Sequence, residues 1–357
     1  MSKGITKIRT YMNQRIINLR CFAIFLIVFG HSIIIYDRTF ELFHTDVMMP
    51  AFEKLKHITS YIQLKLFFAI SGYLLFYKIN KWKDCSLRSV YLSFVSDKFM
   101  RLLIPYFCVC FLWMDPIKIW LQVPEYTLSM GLFAKQIGFM ECGHLWFLAC
   151  LFLMFVITFP FIFVLKRSVT ANFIAFVVLL GLWYILPLPS ALQLDNVKYY
   201  LPFFFLGYLM HYVQNTPPDS VLSRLQVQCV VTIKNVVSNR LFAFLGTLLV
   251  LLVLLFLGMM LYHYTSIGFD MYLSVLLVIV FFMFFPKGKL SIIDELSRHS
   301  YGIYLFHSPL IYITAFKCPN INPWLMLFVN FIVFGGVAYL LSKYISNSRY
   351  KFILGLK

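Results

Sequence analysis

Long apolar runs alternate along the chain with short polar connections rich in Lys and Arg. An α-helix needs about 20 mostly apolar residues to cross about 30 Å of hydrocarbon. About ten such spans are predicted. They begin near Ile16, Ile58, Phe99, His144, Thr170, Tyr199, Leu241, Ile267, Ser297 and Asn322. They end near Tyr36, Tyr77, Met114, Leu165, Leu186, Val213, Tyr262, Phe285, Ala315 and Ile345. The run from Leu241 is the clearest, and those from Phe99 and Tyr199 are short. The period-two alternation of a membrane β-barrel is absent. Backbone in lipid must satisfy its own hydrogen bonds, which leaves helices.

The polar connections set the orientation, because Lys and Arg concentrate on the cytoplasmic side. With the N-terminus inside, 23 of the 31 Lys and Arg fall on the cytoplasmic side, while nine of the 14 acidic residues fall outside. An even number of spans returns the basic C-terminal tail to the cytoplasm. The predicted fold class is therefore an all-α integral membrane protein with both termini cytoplasmic. A single transmembrane domain over residues 1–357, with no appended soluble domain, is expected.

Composition sharpens this reading. The 357 residues are 61% hydrophobic and 13% charged, against roughly 45–50% and about 25% in an average soluble domain. Mean hydropathy is +0.82. A soluble enzyme so composed would lack the polar surface to cover itself. The net charge of +17 is a topology signal; a nucleic-acid partner would need a basic folded domain, and none is predicted. No cleavable signal peptide, lipidation motif or internal repeat is evident. The eight cysteines show neither CxxC pairs nor metal-ligand spacing, so no metal is expected. Only Cys142 and Cys318 fall in the predicted outer loops.

Ionisable groups inside a bilayer are costly, so each is a functional-site candidate. The first span carries Arg20 near its cytoplasmic end and His31 eleven residues later. Eleven residues turn through about 1100°, only ~20° past three full turns, so both side chains lie on one face. They stand about 16 Å apart along the axis, which puts His31 near the midplane. This layout suits a long anionic donor entering from the cytoplasm, with phosphates on Arg20 and the reactive end at His31. It equally suits a snorkelling Arg and a packed His.

The stretch Asn18-Leu19-Arg20-Cys21-Phe22, running on to Phe29-Gly30-His31-Ser32, resembles the first helix of the acyltransferase 3 family of membrane-embedded acyltransferases. That family carries a basic residue, ten residues, then His. Phe67-Phe68-Ala69-Ile70-Ser71-Gly72-Tyr73 resembles its second-helix motif. Lys98-Phe99-Met100-Arg101, before Leu102-Leu103-Ile104-Pro105-Tyr106, resembles its paired-Arg motif. Here Lys98 keeps the charge without the bidentate fork of Arg. His144-Leu145-Trp146-Phe147, Leu201 to Tyr208, and Ser300 to His307 also fit. Six pieces in order, from Asn18 to about Leu310, make the likeness specific.

The resemblance implies a ten-helix fold and transfer of an acyl group, commonly acetyl from acetyl-CoA, to a hydroxyl of an extracytoplasmic or lipid-linked glycan. It implies a multi-pass protein of the bacterial cytoplasmic (inner) membrane. Acetyl-CoA would be a donor substrate, and no bound cofactor is expected. The partners implied are an acyl-CoA donor, a glycan or lipid-linked sugar acceptor and membrane lipid.

Acyl transfer to an alcohol needs a base and a group that stabilises the oxyanion. His31 is the candidate general base, with a covalent acyl-imidazole as the alternative. His307 lies about 13 Å beyond Arg298, near the depth of His31, and is a second catalytic candidate. Arg20, Lys98 and Arg101 map to the cytoplasmic rim as candidate binders of the donor phosphates. Glu141 and His144 share a face if their stretch is helical, and with Trp146 they are the acceptor-binding candidates. Lys65 is expected to snorkel outward, and Ser71 and Gly72 to serve helix packing. A transporter that uses intramembrane His residues as a proton relay is the competing reading.

Overall fold

The computed structural model describes residues 14–215, apart from 39, 41, 83–84, 125 and 166–168, and residues 266–356. The predicted span from Leu241 to Tyr262 lies outside the described residues. The helices are α1 (Gln14–Ser32), α2 (Pro50–Ser60), α3 (Gln63–Lys81) and α4 (Leu87–Trp120). After them come α5 (Met130–Ala134), α6 (Trp146–Leu165), α7 (Val169–Ile185) and α8 (Leu194–Asn215). The chain continues with α9 (Ser266–Phe284), α10 (Ser291–Lys317) and α11 (Pro323–Ser346). No strand is present among the described residues; Cys142 and His144 form an isolated bridge.

Five stretches among the described residues are long and apolar enough to cross a membrane: Gln14–Ser32, Pro50–Phe76, Leu87–Trp120, Met130–Phe163, whose helix is interrupted at 140–145, and Pro323–Ser346. That is fewer than the ten predicted. The difference has a physical source. The predicted spans from Thr170, Tyr199, Ile267 and Ser297 are all helical, as α7 to α10, but α7 has only 17 residues, and the charge-free middle of α10 is diluted by His299, Ser300, Tyr301, His307 and Ser308. The ends of the chain fall among residues 1–13 and 357, outside the described residues.

Two helix pairs frame the molecule. Helices α3 and α8 run parallel and touch backbone to backbone. A Cβ on Gly72 would run into the carbonyl of Phe204, and one on Gly207 into that of Ala69. Small residues permit this approach, and close van der Waals packing is what holds helices together in lipid. Phe68 stacks on Tyr200, and His211 Nδ1 donates to the Tyr73 carbonyl at 2.9 Å. Ser71 Oγ donates to the Phe67 carbonyl of its own helix at 2.9 Å.

Helices α1 and α10 are also parallel and are joined at both ends. Gln14 Nε2 donates to Asp294 Oδ1 at 2.8 Å at the start of the pair, and His31 meets His307 further along. Asn18 Nδ2 donates to the carbonyls of Pro286 and Gly288, which fixes the beginning of α1 against the turn after α9. Helix α11 docks on α10 where Gly302 leaves room for Ser342. Beside it, Glu295 lies 3.1 Å from Arg298, 3.5 Å from His299 and 3.6 Å from Lys343. Partial burial pushes the Glu295 carboxyl up, and Arg298, Lys343, the His299 imidazole and the Tyr339 hydroxyl together more than offset that and hold it below its ordinary value.

Helix α4 is unusual in its winding. It holds two π-helical turns, Phe99–Leu103 and Cys110–Met114, within 34 residues. Such turns are rare and concentrate at functional sites. Pro105 cannot donate to the turn before it, and Tyr301 Oη donates to the Arg101 carbonyl four residues back at 2.9 Å.

Candidate active site

Three imidazoles meet where α1, α10 and the loop before α6 converge. His31 Nδ1 and His307 Nε2 are 2.7 Å apart, with their rings stacked at 13°. The His144 ring centroid lies 5.2 Å from that of His307 and 6.2 Å from that of His31. The sequence predicts His31 and His307 at one depth, and the fold brings them into contact.

The protonation pattern follows from the partners. His307 Nδ1 lies 3.0 Å from the Ile303 carbonyl and 2.8 Å from that of Tyr304. Carbonyls only accept, so Nδ1 carries the proton and neutral His307 offers a lone pair at Nε2. His31 Nδ1 must then donate to it, which leaves the lone pair of His31 at Nε2. By the same logic His144 Nε2 donates to the Tyr304 carbonyl at 2.9 Å. Its Nδ1 is a buried acceptor with no partner. The Tyr304 hydroxyl donates to the His144 carbonyl, which locks the loop to α10.

His144 departs from its predicted place. The stretch before α6 is not helical. Met140 and Gly143 adopt left-handed backbone, with φ of 54° and 52°, a conformation natural for glycine. The turn separates two residues that a helix would have set on one face. Glu141 lines an outer cavity, and His144 turns inward to the other two imidazoles.

That outer cavity has a volume of about 400 Å³. Trp146 and Tyr126 give it aromatic walls, and Glu141, Asp195, Asn196 and Lys118 give it polar ones. Trp146 and Glu141 were both predicted acceptor-side residues. Asp195 and Asn196 were not, because nothing in their local sequence marks the start of α8 as a binding wall.

On the opposite side, Arg20 is half-buried on α1 and has no hydrogen-bond or ion-pair partner among the described residues. Lys98 likewise has no acidic partner there; its ammonium rests on the Phe155 ring, 3.3 Å from the centroid. Arg101 differs. It pairs with Asp97 at 3.3 Å, and Asp97 also holds Lys78 at 2.5 Å. Lys65 reaches back toward the end of α2, donating to the Ser60 carbonyl at 3.0 Å.

Cys110, Asp115 and Cys142 form a buried group whose ligand atoms lie within 4.8 Å of one another. Sequence spacing did not foresee it, since the left-handed turn at Gly143 is what brings Cys142 to α4. Asp115 Oδ1 accepts from Gln136 Nε2 at 2.7 Å, and the Lys118 ammonium supplies positive charge nearby. Cys318, the other cysteine of the predicted outer loops, is exposed.

A family model described as an acyltransferase domain matches residues 13–347. No curated protein and no solved structure matches the chain.

Proposed function

Because the chain belongs to the acyltransferase 3 family of membrane-embedded O-acyltransferases, we propose that it transfers an acetyl group from cytoplasmic acetyl-CoA to a hydroxyl of an extracytoplasmic or lipid-linked glycan. The observation that carries this reading is the His31–His307 contact. It leaves a lone pair on His31 Nε2, between unpaired cations at one end of α1 and a cavity with aromatic and polar walls at the other.

The donor lies with its phosphates on Arg20 and Lys98, and its thioester at His31. Arg101, already paired with Asp97, contributes less free charge. The acceptor sugar occupies the outer cavity against Trp146, with Glu141 on its hydroxyls. His31 Nε2 removes the proton from the attacking hydroxyl as its oxygen bonds to the thioester carbonyl. The imidazolium so formed donates from Nδ1 to His307, whose fixed tautomer makes it the acceptor. The tetrahedral intermediate collapses, the C–S bond breaks, and the thiolate takes the proton from His31. The products are an O-acetyl ester and free coenzyme A. Both termini lie in the cytoplasm in this reading, and the membrane is the bacterial cytoplasmic membrane.

The test is label transfer from radiolabelled acetyl-CoA to a surface-glycan fraction, using membranes with wild type or His31→Ala at equal expression. Label with the wild type alone supports the reading. Equal label with both removes His31 from the chemistry. No label with either points to another acyl donor or acceptor, or to the proton-relay transporter.

A further inference from the structure

Two lysines line the outer cavity and the proposed chemistry uses neither: Lys135 is exposed, and Lys118 is buried. Lys118 lines it, yet is only 2% exposed. Its ammonium lies 3.9 Å from the centroid of Tyr126 and 4.6 Å from that of Tyr312. Above it sits Gly143, where a Cβ would come within 3.3 Å of the Lys118 nitrogen. Among the described residues Lys118 has neither a hydrogen-bond partner nor a carboxylate in ion-pair range. Asp115, three residues earlier, attracts Lys118 only from beyond ion-pair distance, and its Oδ1 is engaged by Gln136. The carboxylates that line the cavity are Glu141 and Asp195, and Asp195 Oδ1 accepts from the Asn196 backbone N–H at 2.7 Å.

A buried ammonium with no anion in contact is costly, and aromatic faces with a more distant carboxylate offset only part of that cost. A site that keeps one is built for a partner that arrives. We propose that Lys118 seats an anionic group of the acceptor, a sugar carboxylate or phosphate, so that the protein selects an acidic glycan. The anion docks on Lys118 beneath Gly143, and the sugar ring lies toward Trp146. Tyr312 stands five residues beyond His307 on α10, a rise of about 7.5 Å. One or two sugar rings span that separation and bring a hydroxyl to the imidazoles. This inference rests on the acyltransferase reading for the ligand's role as acceptor, but its binding test does not.

The test uses the full chain in lipid nanodiscs, with tryptophan fluorescence reporting binding beside Trp146. The probes are the methyl glycosides of glucuronic and galacturonic acid, those of glucose and galactose, and glucose 6-phosphate. The wild type is expected to bind an acidic probe at least about tenfold more tightly than its neutral counterpart. Lys118→Met should erase that preference, and Lys118→Arg should keep it, which guards against a folding defect. Preference for the uronic acids points to a carboxylate, and preference for glucose 6-phosphate to a phosphate. Equal binding of acidic and neutral probes, binding of neither, or a preference that survives Lys118→Met overturns the proposal. Acetyl transfer without acid preference leaves the acyltransferase reading standing and removes the anion site. Acid preference without acetyl transfer to any glycan does the reverse.

Discussion

In the proposed reaction, His307 sets the chemistry of His31 by what its far nitrogen touches. Both acceptors of Nδ1 are carbonyls of its own helix, so its tautomer is fixed before substrate arrives. Removing the ring takes away the acceptor for the imidazolium proton. His307→Ala is therefore expected to lower kcat by about 10²–10⁴-fold, a range typical of lost acid–base assistance, with KM for acetyl-CoA little changed. A raised KM at unchanged kcat would assign His307 to binding instead, and steady-state kinetics on purified protein decides. At this scale the sequence is informative where one helix carries the signal. Arg20 and His31 share a helix, so their spacing could be computed from the helical repeat alone. The inward turn of His144 and the exposure of Lys118 to the cavity both depend on two left-handed residues, Met140 and Gly143. Met in that conformation has no sequence signature, so neither placement was legible.

Among elements, the α3–α8 contact is the one with no slack. Gly72 faces the Phe204 carbonyl itself, and backbone cannot rotate aside as a side chain can. Gly72→Val is expected to lose at least about 3 kcal/mol, above the usual overpacking cost. The measurement is the melting temperature by fluorescence-detected size-exclusion chromatography. Gly181→Val on α7 serves as the control, because a Cβ there meets nothing within 4 Å, and its melting temperature should stay near that of the wild type. Apolar runs announced the long helices, since a long apolar run leaves little choice in lipid, while α2 and α5 fall mostly in stretches read as polar connections. The π-helical turns went unread. A wide turn is chosen by what packs around a helix, and residues 99–103 look like any other apolar stretch.

For the whole molecule, the asymmetry of basic residues predicts a single orientation in the membrane. Cys85 and Cys318 are both exposed and fall on opposite predicted sides. In single-cysteine variants, Cys318 should react with an impermeant maleimide in intact cells, and Cys85 only after permeabilisation. Reversed labelling would invert the topology and with it the assignment of donor and acceptor sides. Such charge counting works because it sums many residues and needs no contact to be right. The meeting of α1, α10 and the loop before α6 needs every contact to be right. Helix α4 ties the two sides together, with Lys98 and Arg101 before one π-turn or within it and Asp115 and Lys118 after the other. Each wide turn accommodates one residue beyond the ordinary winding. Deleting a residue from the regular winding between the two turns, where no extra residue is stored, would swing everything downstream by about 100°. Lys118 would leave the cavity while every side chain in the helix stayed the same. In this stretch the residue count is itself a coded quantity, so related chains are expected to tolerate many spellings here and almost no insertions or deletions.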